Sequence, residues 1–127
     1  MKDIVAIENI TFNESQQNLT AKFSIDFKNP LFEGHFPKQP VLPGVMELEI
    51  IEKTLKSGLK KNLLLKNIVQ VKFLKTIRNT DENNEYFIDI KVEYIDKENL
   101  ICKSTIFNSH LTQIHMKACF RFLINHE

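Results

Sequence analysis

The stretch LFEGHFPKQPVLPGVMELE, Leu31 to Glu49, holds three of the chain's four prolines, two of its three glycines and one of its four histidines. Pro37, Pro40 and Pro43 recur every third residue. Each fixes its own φ at about −65° and pushes the residue before it, Phe36, Gln39 or Leu42, out of the α region. The backbone from His35 to Leu42 is therefore expected to be extended and polyproline-like. Helix is expected only where the prolines stop. Val45, Leu48, Ile51, Leu55 and Leu59 recur at i, i+3, i+4 spacing, which predicts a helix from Gly44 to about Ser57 with Gly58 as its stop. Met46 and Ile50 fall on its far side, so the helix is apolar on more than one face and is expected to be buried against a sheet and a partner.

Outside that helix the chain reads as strands. Leu19, Ala21, Phe23, Ile25 and Phe27 alternate with Thr20, Lys22, Ser24 and Asp26, the two-residue period of a half-buried strand. Similar readings cover Ile4 to Phe12 and Leu63 to Leu74, and Tyr86 to Ile95, Leu100 to Phe107 and Thr112 to Ile124 read as a meander. Turn-rich segments separate them: Asn13 to Asn18 (NESQQN), Asn79 to Asn84 (NTDENN), Asp96 to Asn99 and Asn108 to Ser109. One buried helix with about six antiparallel strands is an α+β architecture with the sheet wrapped on the helix, and residues 1–127 are expected to form a single domain.

Composition narrows the function classes. Seventeen Lys and Arg against sixteen Asp and Glu leave a formal charge of +1, without the basic excess of a nucleic-acid binder. Lys60-Lys61 reads as a solvated turn. No apolar run approaches the ~18 residues of a membrane span, and MKDIVAIENITFNE lacks an apolar run of signal-peptide length, so a cytoplasmic setting is expected. Cys102 and Cys119 have neither CxxC nor zinc-type spacing and are expected to be reduced thiols.

The opening stretch also carries chemistry. Pro43 suits the first turn of a helix, and the N–H groups of Gly44 and Val45 would then be free donors at the positive end of the helix dipole. Such a helix start suits a carbonyl oxygen that gains negative charge. With the His35 imidazole and a helix carboxylate at Glu47, Glu49 or Glu52, these are the parts needed to remove an acidic C–H beside a carbonyl and expel a hydroxyl. On these residues alone the bland reading comes first: a lone His beside Pro and Phe is ordinarily a packed structural residue, and glutamates on a short helix ordinarily form a solvated face.

Gly34-His35-Phe36-Pro37, Pro40, Pro43-Gly44-Val45 and Glu49 together resemble the signature of the FabZ-type (FabA-like) 3-hydroxyacyl-ACP dehydratases. That signature is GHFP-x-x-P-x-x-PGV, with a carboxylate fourteen residues after the His. The resemblance is ungapped over Asn29 to Lys53 and faint over Val71 to Asp81. It implies a hot-dog fold, a long central helix wrapped by a curved antiparallel sheet and paired as a homodimer. It implies His35 as the base at the α-carbon and Glu49 as the acid for the departing 3-hydroxyl. The Gly44 N–H would hold the thioester carbonyl, with Val45, Phe36 and Pro43 lining the substrate. The acyl chain would arrive on the phosphopantetheine arm of acyl carrier protein, with no metal or redox cofactor. Eight residues of polyproline-like loop span up to ~25 Å, which suits a site where His35 meets Glu49 of the other subunit.

The chain departs from the signature at Lys38 (usually Gly), Lys53 (usually Gln) and Glu52 (usually small), and Thr76 and Thr80 stand where Pro and Gly are expected. The N-terminal PHRYPFLL-like segment of housekeeping dehydratases is not seen, which points to a specialised relative of polyene or secondary lipid pathways. By helix angle Glu52 is expected to face the apolar stripe, and Glu47 to be solvated. His110, His115 and His126 read as structural or exposed. The competing expectations are a hot-dog thioesterase, in which a helix carboxylate activates water, and a non-catalytic acyl-binding partner subunit.

Overall fold

A computed structural model describes residues 4–34, 40–79, 84–108 and 110–126. The strands are β1 (Val5–Asn13), β2 (Asn18–Ile25), β3 (Asn62–Phe73), β4 (Glu85–Tyr94), β5 (Asn99–Asn108) and β6 (Ile114–Asn125), and the helix α1 is Gly44–Leu59. A short 3₁₀ turn covers Pro30–Gly34. The strands form one antiparallel sheet in the order β1-β2-β4-β5-β6-β3. The expected α+β layout is what the chain adopts. Among the described residues no helix is long and apolar enough to cross a membrane.

Alternation decides which side of the sheet meets the helix. Leu19, Ala21, Phe23 and Ile25 on β2 are buried, as are Tyr86, Ile88, Ile90 and Val92 on β4. Leu100, Cys102 and Ile106 on β5, with Met116, Ala118, Phe120 and Phe122 on β6, complete the inner face. Cys102 is buried and Cys119 lies on the other face of the adjacent strand, so the two free thiols cannot pair. Strand boundaries fall within about two residues of the expectation, which is the ordinary fraying at the ends of such elements. Within β1 the register slips between Glu8 and Thr11, where Asn9 takes a left-handed φ of 56°, the mark of a bulge.

Gly58 does not stop the helix. The helix runs on to Leu59, and Lys60 supplies the left-handed cap at φ 53°, its N–H donating to the Lys56 carbonyl at 3.0 Å. Gly58 is instead a close-approach residue, because a Cβ there would collide with the Leu19 side chain and press on Ile10. At the other end, a Cβ on Gly44 would lie 2.8 Å from the tip of the Phe73 ring. These two contacts run α1 lengthwise along the sheet, from the end of β3 to the start of β2.

Candidate functional site

The helix start is held from outside. The Leu42 N–H donates to the Ile77 carbonyl at 2.9 Å, and Val41 bridges Arg78, which ties the end of the proline segment to the chain leaving β3. Leu42 and Ile77 are both buried, so this tie is also apolar. Pro43 then sits at the N-cap with φ −59° and ψ 141°, one residue ahead of the first helical position expected for it. Its carbonyl accepts from Met46 at 3.0 Å and Glu47 at 3.4 Å. The N–H groups of Gly44 and Val45 precede these bonds and point out of the helix start. Proline suits this cap position because its fixed φ needs no adjustment and it brings no N–H of its own.

Val45 is 71% exposed, and Glu49, four residues on, shares that exposed flank. Pro43, Gly44, Val45 and Glu49 are thus brought together at one end of α1. His35 and Phe36, with Pro37, Lys38 and Gln39, lie outside the described residues, as do Thr80 to Asn83 and Ser109.

Two of the three helix glutamates depart from expectation. Glu52 does not face the core: it is half-buried and pairs with Lys56 at 3.2 Å, the i, i+4 arrangement of an exposed helix side. Glu47 is the buried one, only 3% exposed. The buried residues of α1 are Glu47, Ile50, Ile51, Thr54 and Leu55. Of the expected stripe, Ile51 and Leu55 are buried, Leu48 and Leu59 pack against the core, and Val45 alone stands out in solvent. Glu47 shares the phase of Ile50, Ile51 and Thr54 at i+3, i+4 and i+7, and that phase is the signal that could have found it. Among the described residues the Glu47 Oε1 has no hydrogen-bond partner. Burial alone raises its pKa from the ordinary 4.5 to about 8, so at neutral pH it is largely a carboxylic acid.

The remaining titratable candidates are structural. His115 is buried, its Nδ1 lies 3.1 Å from the Lys75 carbonyl, and its ring meets Tyr86 edge-on at 5.2 Å. His126 Nε2 is 2.8 Å from the Lys97 carbonyl, and both His110 and His126 are exposed. Burial pushes the Cys102 thiol up to about 12, which removes it as a nucleophile. Among the described residues no group of three or more His, Cys, Asp and Glu is placed to hold a metal ion.

Comparison with known proteins gives this arrangement a context. Residues 11–113 match the family model described as ApeI-like: ApeI dehydratase. The 3-hydroxyacyl-[acyl-carrier-protein] dehydratase FabZ of Thermotoga neapolitana is 34% identical over 73 residues, covering 54% of this chain and 53% of that enzyme. The matches to such dehydratases span between 23% and 53% of the relatives' own length. Among solved structures, the dehydratase heterocomplex ApeI:P from Xenorhabdus doucetiae superposes with a TM-score of 0.67 at 19% identity, covering 93% of this chain and 94% of that one. A hypothetical thioesterase with coenzyme A from Streptococcus pneumoniae superposes at 0.69 with 12% identity, covering 97% and 87%. At such identities the superpositions speak for the fold, and the fold is the hot-dog fold.

Proposed function

The chain belongs to the ApeI-like dehydratase family, and from that premise we propose that it dehydrates a 3-hydroxyacyl thioester on acyl carrier protein to the trans-2-enoyl thioester. The observation that carries the proposal is the helix start. The signature residues Pro43, Gly44 and Val45 form a helix terminus where, among the described residues, no backbone group takes the N–H of Gly44 or Val45, with Glu49 one turn away. In this reading His35 removes the α-proton while the Gly44 N–H, with Val45 beside it, stabilises the enolate oxygen. The electron pair of the broken C–H bond forms the new double bond as the 3-hydroxyl leaves, and the Glu49 carboxyl protonates it to water. Phe36 and Pro43 line the acyl thioester. No metal or redox group enters this chemistry.

We take residues 1–127 as one hot-dog domain, working in the cytoplasm as a homodimer with the site shared between subunits. Support for the dimer comes from β3, a twelve-residue strand at the sheet edge. Leu64, Ile68, Val69 and Phe73 on it are each between 42% and 64% exposed. A long, apolar, unpaired edge invites a second strand, and Glu49 is exposed on α1. A specialised lipid pathway, rather than bulk fatty-acid synthesis, is the setting that Thr76 and Thr80 favour.

The test supplies 3-hydroxyacyl thioesters on acyl carrier protein and follows enoyl formation beside free-thiol release. Enoyl product that is lost in His35→Ala and Glu49→Gln is expected. Thiol without enoyl product would establish the thioesterase reading instead. Tight acyl-carrier binding without any product would make the chain a non-catalytic partner subunit.

A further inference from the structure

β6 breaks its alternation at His115 and Met116, neighbours in sequence that are both buried. The pairing with β5 slips there, Ile106 facing Met116 and Phe107 facing Ile114, so His115 is the extra residue of a bulge. Strict alternation would put His115 on the outer face of the sheet. The bulge re-aims it, and its imidazole is 1% exposed. A buried imidazole costs free energy unless its polar atoms are paired. His115 Nδ1 lies 3.1 Å from the Lys75 carbonyl, and because a carbonyl only accepts, Nδ1 carries the proton of that bond.

Lys75 belongs to a strut, residues 74–79, that leaves β3 and crosses to the helix start. One side of the strut is fastened to β6. The Leu74 and Lys75 N–H groups donate to the His115 carbonyl at 2.9 and 3.2 Å, and Lys75 Nζ donates to Gln113 Oε1 at 2.8 Å. The other side carries the end of the proline segment. The Ile77 carbonyl accepts from Leu42 at 2.9 Å, the Asn79 N–H donates to the Pro40 carbonyl at 3.4 Å, and Arg78 bridges Val41. Inside the strut, Arg78 Nε donates to Thr76 Oγ1 at 2.6 Å. Apart from the bridge at Arg78 the strut belongs to no helix or strand, so these ties and the buried Ile77 hold it. Leu42 leads directly into Pro43, Gly44 and Val45, so the place of the strut decides where those donors point.

We propose that His115 is a positioning residue for the reaction: its Nδ1–H sets the strut, and through Leu42 the strut sets the helix start that holds the thioester carbonyl. The inference rests on the dehydratase reading for the identity of the reaction. His115 itself touches no substrate. Donors that stabilise a developing oxyanion must be held within about 0.5 Å of their productive place, and a misplacement of ~1 Å costs about a hundredfold in rate. A remote hold of this kind acts on turnover and not on the capture of the carrier-borne chain. The exposed Lys75 bond to Gln113 competes with water, whereas the His115 bond is made inside the core, where its loss leaves a carbonyl unpaired.

The experiment compares wild type, His115→Leu and His115→Asn by turnover of a 3-hydroxyacyl thioester on acyl carrier protein and by native-state hydrogen exchange. Leucine keeps the bulk and removes the donor, while asparagine returns an N–H near the position of Nδ1. In His115→Leu, kcat per folded molecule is expected to fall about 10- to 100-fold with KM within about twofold. The Leu42 amide is expected to exchange about tenfold faster relative to the amides of β4. His115→Asn is expected to bring both back to within about threefold of wild type. A merely structural histidine lowers protection throughout and leaves the turnover of folded molecules alone. An unchanged kcat in His115→Leu, or exchange at Leu42 that moves only in step with β4, therefore overturns the proposal. Should His115→Leu fold poorly, His115→Gln takes its place, since its amide reaches the position of Nε2; equal kcat and Leu42 exchange in the Gln and Asn variants overturn the proposal. Failure of the underlying reading looks different. A wild type that makes no enoyl product, with Leu42 selectively loosened in His115→Leu, counts against dehydration alone. Enoyl product formed at the wild-type rate by His115→Leu counts against the role of His115 alone.

Discussion

The orphan carboxyl in the core makes the stability of this protein depend on pH in a direction opposite to that of most carboxylates. A paired Asp or Glu has a depressed pKa and stabilises the fold more as pH rises. Glu47 has a raised one, about 8 against an ordinary 4.5, because burial penalises its charged form. The folded state therefore holds a proton that the unfolded chain gives up, and stability falls with pH across that interval. Its contribution is fully present below about pH 4.5, and has gone by the time pH has risen through about 8. At about 1.4 kcal/mol per pH unit the whole interval amounts to about 5 kcal/mol. The steep, accessible part is worth about 2 kcal/mol between about pH 6 and pH 8, a large fraction of the stability of an ordinary domain. Urea unfolding at fixed protein concentration and ionic strength reads it directly. The wild type is expected to lose that amount as pH rises, and Glu47→Gln, which cannot ionise, is expected to lose much less. The difference between the two curves isolates Glu47 from every other group that titrates in the window. Parallel loss in wild type and variant would refute the reasoning, since it would mean that the carboxyl is not kept protonated by burial.

Two further outcomes follow from packing. Gly58→Ala would raise helix propensity at an interior helical position by about 1 kcal/mol, yet its Cβ meets Leu19 and Ile10. Overpacking of this kind costs about 1–3 kcal/mol, so thermal melts are expected to show a net loss, and a higher melting temperature would mean that Leu19 yields freely. Ile68→Lys places a charge at the middle of the exposed edge strand β3. It is expected to shift the protein from dimer to monomer in analytical ultracentrifugation and to abolish enoyl formation with it; a variant that stays dimeric would move the subunit contact away from this strand.

The parts of the fold that were legible in the sequence are those where one physical signal dominates. On β2 every second side chain is apolar and the chain has two faces to choose between, so alternation alone identifies Leu19, Ala21, Phe23 and Ile25 as core. The six strands and their turns followed from the same signal. The proline spacing likewise located the start of α1 at Gly44, because proline constrains backbone regardless of tertiary context. The meander of β4, β5 and β6 was legible, but the rest of the pairing order was not. The placement of β3 beside β6 rather than beside β4 depends on how the sheet closes around the helix, and no local residue records it.

The facing of α1 was the harder problem, and its physics explains the misplaced glutamates. Apolar residues occupy more than half of the helical wheel, since Val45, Met46, Leu48, Ile50, Ile51, Leu55 and Leu59 spread over most of its circumference. Periodicity then favours whichever stripe has the most carbon. The expected stripe holds at Ile51 and Leu55, and the buried face is rotated from it so as to take in Glu47, Ile50 and Thr54 and leave Val45 out. A helix with two apolar sides serves two contacts: one side packs on its own sheet, and the other, with Val45 at 71% exposure and Glu49 beside it, stands open. Hydropathy cannot rank those sides, because a surface awaiting a second subunit and a surface meeting the chain's own sheet have the same composition. The polar residues separate them better. A carboxylate on the open side is free to be solvated until a partner arrives, and Glu49 sits there. A carboxyl on the inner side must be neutral or satisfied, and Glu47, which hydropathy alone would have assigned to water, is the residue on that side whose presence packing does not explain.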